Sequence, residues 1–89
     1  MLAEQIEIIN KLGLHARAAA KFVSTATRFE SAIKISKDGR EVDGKSIMSV
    51  MMLAASCGSV VGISADGADE QDAITAIKEL INDRFGEGE

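Results

Sequence analysis

The chain has no tryptophan, no tyrosine and three phenylalanines. Its core must therefore be built mainly from isoleucine, valine, leucine, methionine and alanine. Cys57 is the only cysteine, which excludes an intramolecular disulfide and a metal site made of thiols alone. As an intracellular thiol it is expected to be a small buried hydrophobe. Excess positive charge is also missing: ten Lys and Arg against fourteen Asp and Glu give a net charge of −4. That argues against a nucleic-acid binder, which needs a basic patch for phosphate contacts, and against a surface that seeks anionic membranes. Long apolar runs are absent too. The longest, "VMMLAASC" at residues 50–57, is far too short to span a bilayer. Glu4 and Glu7 stand where a signal peptide would need an apolar stretch. These absences predict a soluble, cytoplasmic protein.

What is present is an ordinary globular composition, 46% hydrophobic and 27% charged. A chain of this size makes one small domain and should bury about 60–65% of its unfolded surface. With no linker and no internal repeat, a single domain is expected over residues 1–89, with 85–89 as a frayed tail.

Periodicity supplies the elements. "EQIEII", residues 4–9, sets Ile6 and Ile8 on one face of a strand and Gln5 and Glu7 on the other. From Ala16 the period lengthens: Ala19, Phe22, Val23, Ala26 and Phe29 recur at three- and four-residue steps, predicting an amphipathic helix to about Thr27. "SAIKIS", residues 31–36, alternates again. "KDG", residues 37–39, supplies the positive φ angles of a tight hairpin turn, and "REVD", residues 40–43, returns as a short strand. Ser46 is placed to cap a second, shorter helix. "VVGISA", residues 60–65, is the last strand. Asp69 is expected to cap the last helix, whose buried stripe is Ala73, Ile74, Ile77, Leu80 and Ile81, with Gly86 as its stop.

The order β-α-β-β-α-β-α predicts a two-layer α+β sandwich with helices over an antiparallel sheet. Pattern alone suggests a ferredoxin-like arrangement with an added helix. Strand order itself cannot be read from periodicity.

His15 is the only histidine. A lone histidine is most often a surface residue or a hydrogen-bonded core residue. No second histidine exists to build a metal site with it, and no carboxylate partner is evident from its neighbours in the chain. Its position says more. His15 stands at the start of a helix whose first amides, at Ala16, Arg17 and Ala18, lack intrahelical partners. Such an end attracts phosphate, and Arg17 adds a cation whose fork matches phosphate oxygens. Gly13 leaves room for another protein to approach. An unprotonated imidazole beside a ready-made phosphate cradle suits a transient phosphoryl acceptor.

"GLHARAAAKFV", residues 13–23, resembles the active-site segment of HPr, the histidine phosphocarrier family of the bacterial phosphotransferase system. "DGKSIMSVMML", residues 43–53, resembles the regulatory-serine segment of the same family. The likeness covers essentially the whole chain. It implies an open-faced sandwich with strand order 1-4-2-3 and three helices on one face, in place of the ferredoxin-like guess.

The resemblance further implies that His15 accepts a phosphoryl group on Nδ1 from Enzyme I and passes it to Enzyme IIA domains. Arg17 and the amides of Ala16 and Arg17 would steady the phosphate. Ser46 matches the serine modified by HPr kinase/phosphorylase. Ile47, Met48 and Met51 match an exposed patch that partners cover; at helical spacing they also read as core. Ser46, likewise, also reads as a cap and nothing more. The implied protein is a stoichiometric carrier and a monomer, without metal or cofactor. Two other readings stay open: a regulatory, nitrogen-related branch of the same system, and a small ligand-binding regulatory domain in which His15 is incidental.

Two departures stand out. The family usually has "HARP" or "HTRP", whereas this chain has "HARA", with Ala18 in place of proline. Proline suits a first helical turn, but alanine is the best helix former, so the helix should survive. Leu12 also replaces the small polar residue found in many members, which removes any contact from that side chain to the ring.

Overall fold

The structure is a computed structural model and describes residues 1–88. Four strands, β1 (Leu2–Glu7), β2 (Ala32–Lys37), β3 (Arg40–Asp43) and β4 (Val60–Asp66), form one sheet. Three helices, α1 (Ala16–Ala26), α2 (Ile47–Met52) and α3 (Glu70–Asn82), cover one of its faces. The sheet order is β1-β4-β2-β3 with every neighbouring pair antiparallel. This is the 1-4-2-3 open-faced sandwich, not the ferredoxin-like order suggested by pattern alone.

Alternation explains why burial is one-sided. Along β4, Val61, Ile63 and Ala65 are buried while Val60 and Asp66 are exposed. Ile33 and Ile35 do the same on β2. From the helical layer, Phe22, Val23, Ile74, Ile77 and Ile81 meet them. Burying each large aliphatic or aromatic side chain contributes about 1.5–3 kcal/mol before entropy is counted. The hairpin between β2 and β3 turns as expected, with Asp38 at φ 52° and Gly39 at φ 81°.

Three expectations fail for reasons of chain path. Cys57 is exposed, not buried. It lies in the turn between α2 and β4, where its Sγ reaches the Ile9 carbonyl at 3.8 Å and the neighbouring Gly58 amide donates to the Ile8 carbonyl at 2.7 Å.

Asp69 stands at the start of α3 but makes no capping bond with its side chain. Its carboxylate instead accepts from the Glu30 and Ser31 amides, each at 2.9 Å, and from the Ser31 hydroxyl. Those three donors occupy the carboxylate in place of its own helix, and they fasten the α1–β2 loop to α3.

The frayed tail is replaced by a docked one over its described residues. The helix ends at Asn82, before Gly86, and a short turn follows at Arg84–Gly86. Arg84 and Phe85 both take φ 53°, a left-handed conformation that swings the Phe85 ring into the core, where it is fully buried. Burial of that ring offsets the cost of about 1–3 kcal/mol per unfavourable backbone conformation. The last residue of the expected tail, 89, lies outside the described residues.

Candidate functional site

Gly13 begins the site. It takes φ +69°, and a Cβ there would lie 2.5 Å from the Ala55 carbonyl oxygen and 2.8 Å from Ser56 Cα. The glycine is buried against this backbone, so it does not open a path for a partner as the sequence suggested. It allows the Leu14 amide to donate to the Ala55 carbonyl at 2.8 Å, which fixes the loop entering α1 to the loop leaving α2.

His15 is the N-cap of α1, with extended backbone at φ −74° and ψ 179°. Its carbonyl accepts the first helical bond, from the Ala19 amide at 2.8 Å. Its ring folds back so that Nδ1 accepts from the Arg17 amide at 3.3 Å. The other ring nitrogen, Nε2, meets the carboxylate of Glu87. A carboxylate has only lone pairs to offer, so Nε2 carries the proton and Nδ1 carries the lone pair. The ring is thus a neutral imidazole with its free nitrogen at the positive end of a helix.

Glu87 is itself held. Its Oε1 accepts from Asn10 Nδ2 at 2.9 Å, and the same amide donates to the Gly13 carbonyl at 2.8 Å. The Asn10 bond, with the His15 ring N–H and the Lys21 charge adding to it, holds the Glu87 carboxyl below the usual range despite partial burial. Lys21, on α1, donates from Nζ to the Phe85 carbonyl at 2.6 Å and ties the tail down. Lys11, Leu12, Arg17, Lys21, Gly86 and Glu87 together line a shallow hollow beside the ring. Arg17 is exposed there. No acidic residue occupies the first turn of α1, so nothing on that turn competes for an anion. Ala18 is fully buried in the same turn.

Ser46 caps α2: its Oγ accepts from the Ser49 amide at 3.3 Å. Behind it, Val50 and Leu53 are buried, whereas Ile47, Met48, Met51 and Met52 are exposed. Core packing therefore does not account for this run, and the apolar patch faces solvent. Among the described residues no group of His, Cys, Asp and Glu could hold a metal ion.

The sequence reading missed Asn10 and Glu87. The one available signal was Phe85, a large aromatic just before "GEGE", which had to be buried somewhere and would carry its neighbours with it.

This arrangement can do one kind of chemistry well. The Nδ1 lone pair meets the first turn of α1, Arg17 lies exposed in the adjoining hollow, and Glu87 braces the ring at Nε2. It sets a nucleophilic nitrogen beside a helix start that attracts anions.

Comparison with known proteins finds relatives over the whole chain. A family model described as PTS HPr component phosphorylation site matches residues 2–83. The chain is 58% identical to the phosphocarrier protein HPr of Cupriavidus necator and 56% identical to that of Neisseria meningitidis serogroup A, each over 89 residues and the full length of both proteins. A crystal structure of HPr-C-His from Thermoanaerobacter tengcongensis superposes with a TM-score of 0.95 at 53% identity, covering 98% of both chains. Among the described residues no helix is long and apolar enough to cross a membrane. The chain belongs to the HPr family, the phosphocarrier proteins of the phosphotransferase system.

Proposed function

We propose that His15 accepts a phosphoryl group on Nδ1 from phosphorylated Enzyme I and delivers it to Enzyme IIA domains, feeding sugar uptake in the cytoplasm. The observation that carries this reading is the ring's orientation: Nδ1, the nitrogen with the lone pair, points at the start of α1. When that lone pair bonds phosphorus, the Arg17 amide loses its present acceptor and turns to a phosphoryl oxygen. The Ala16 amide and the Arg17 guanidinium add further donors. Phosphoryl transfer depends mainly on positioning and charge stabilisation, and the partner proteins bring most of both. The carrier works as a monomer, needs no cofactor or metal, and turns over stoichiometrically with its partners rather than as an enzyme with a substrate pocket.

The exposed Ile47, Met48 and Met51 form the docking patch for these partners, because a contiguous apolar surface gains most from being covered. Ser46, at its edge, is a regulatory phosphorylation site for HPr kinase/phosphorylase. Transfer of label from phosphoenolpyruvate through Enzyme I tests the whole reading. The wild type should be labelled and His15→Ala should fold but stay unlabelled; full labelling of that variant would end it.

A further inference from the structure

We propose that Glu87 is the positioning residue of His15: its carboxylate accepts from Nε2, fixes the lone pair on Nδ1, and offsets the charge the ring gains on phosphorylation. This rests on His15 being the phosphoryl acceptor. Three features place the carboxylate there, and none belongs to α1 alone. Phe85 anchors the turn through full burial. Lys21 Nζ holds the Phe85 carbonyl at 2.6 Å. Buried Asn10 presents its amide to Glu87 Oε1 at 2.9 Å and to the Gly13 carbonyl at 2.8 Å, so one side chain aligns both the tail and the histidine loop.

The step balances without an outside acid or base. The Nδ1 lone pair forms the new bond to phosphorus, while the bond from phosphorus to the donor group on the partner breaks and its electrons leave with that group. The Nε2 proton stays on the ring throughout. The ring acquires positive charge, and the Glu87 carboxylate faces the nitrogen that carries the proton. Delivery to the next protein reverses these events. A ring without Glu87 could turn over or move its proton to Nδ1, and in that tautomer the nucleophilic nitrogen points away from the helix amides.

The single histidine makes the test clean, because one labelled ring gives one pair of nitrogen signals. In protein carrying 15N-histidine, the wild type should show a protonated Nε2 and an unprotonated Nδ1 near neutral pH. Glu87→Ala should lose that tautomer preference and accept label from Enzyme I about ten- to a hundredfold more slowly, with its melting temperature little changed. Glu87→Gln, which keeps an acceptor oxygen without the charge, should retain the tautomer and transfer at an intermediate rate. Wild-type transfer by Glu87→Ala overturns the proposal, as does slowed transfer with unchanged ring signals. His15→Ala separates the two layers: if it is unlabelled while Glu87→Ala behaves as wild type, the acceptor reading stands and only the role of Glu87 falls.

Discussion

The Leu14 amide donates to the Ala55 carbonyl at 2.8 Å, so the residue next to His15 is fastened to the loop that follows α2. The histidine loop and the end of the apolar helix are therefore one mechanical unit, and Gly13 is what lets them close. Gly13→Ala would place a Cβ 2.5 Å from the Ala55 oxygen at a φ of +69°. The clash and the backbone strain should together cost about 1–3 kcal/mol. For a domain of this size that lowers the melting temperature by roughly 4–8 °C per kcal/mol. Thermal melts check it, and an unchanged transition would mean that the two loops separate freely.

Arg17 sits on the exposed side of the same junction, so its loss should affect transfer and not the fold. Charge-assisted bonds to phosphate are worth about 1.5–3 kcal/mol. Arg17→Ala should slow phosphorylation by Enzyme I by roughly one to two powers of ten, while stability changes by no more than about 0.5 kcal/mol. Transfer kinetics equal to the wild type would remove Arg17 from the site.

Phosphorylation of Ser46 should block docking without unfolding α2. A phosphoserine adds about −1.5 to −2 charges, and a helix start tolerates that charge. The cost falls on Ile47, Met48 and Met51, which a partner must cover and dry beside the new charge. A penalty of about 2.8 kcal/mol weakens a complex a hundredfold. Phosphoserine protein should keep its melting temperature and bind Enzyme I on the order of a hundredfold more weakly. Equal affinity of both forms would leave Ser46 as a cap alone.

Asp69 links stability to pH. The Ser31 hydroxyl, then the Glu30 amide, hold its carboxyl below the usual range. A carboxyl lowered by folding stabilises fully above its unfolded value and loses that contribution as pH falls through its folded value. Asp69→Ala should therefore melt below the wild type near neutral pH, and the gap should narrow under acid conditions, below the ordinary carboxylate range. Melting temperatures across the acid range decide it. A gap of constant size would show that the carboxylate's charge is irrelevant.

Local pattern made the elements legible in the sequence, because each rests on neighbours. Ile33 and Ile35 alternate with Lys34 and Ser36 whatever the sheet order, and Phe22, Val23 and Ala26 share a helix face. The junction of His15, Ala16 and Arg17 was legible for the same reason. What periodicity could not show are pairings between distant residues. β4 lies between β1 and β2, an order that came from likeness to the family. Asp69 meets Ser31 across 38 residues and Glu87 meets His15 across 72. Its own neighbours alone make Asp69 look like a cap and Glu87 like part of a loose end. Cys57 failed likewise, since its exposure is set by how the turn leaves α2.

Nitrogen and phosphorus NMR on the phosphorylated, 15N-histidine-labelled protein tests the central claim most directly. After incubation with phosphoenolpyruvate and Enzyme I, one phosphoryl group should be found on His15, with its phosphorus coupled to Nδ1 and the proton still on Nε2. Phosphorus coupled to Nε2, or a phosphorylated chain whose histidine signals have not moved, would contradict the account.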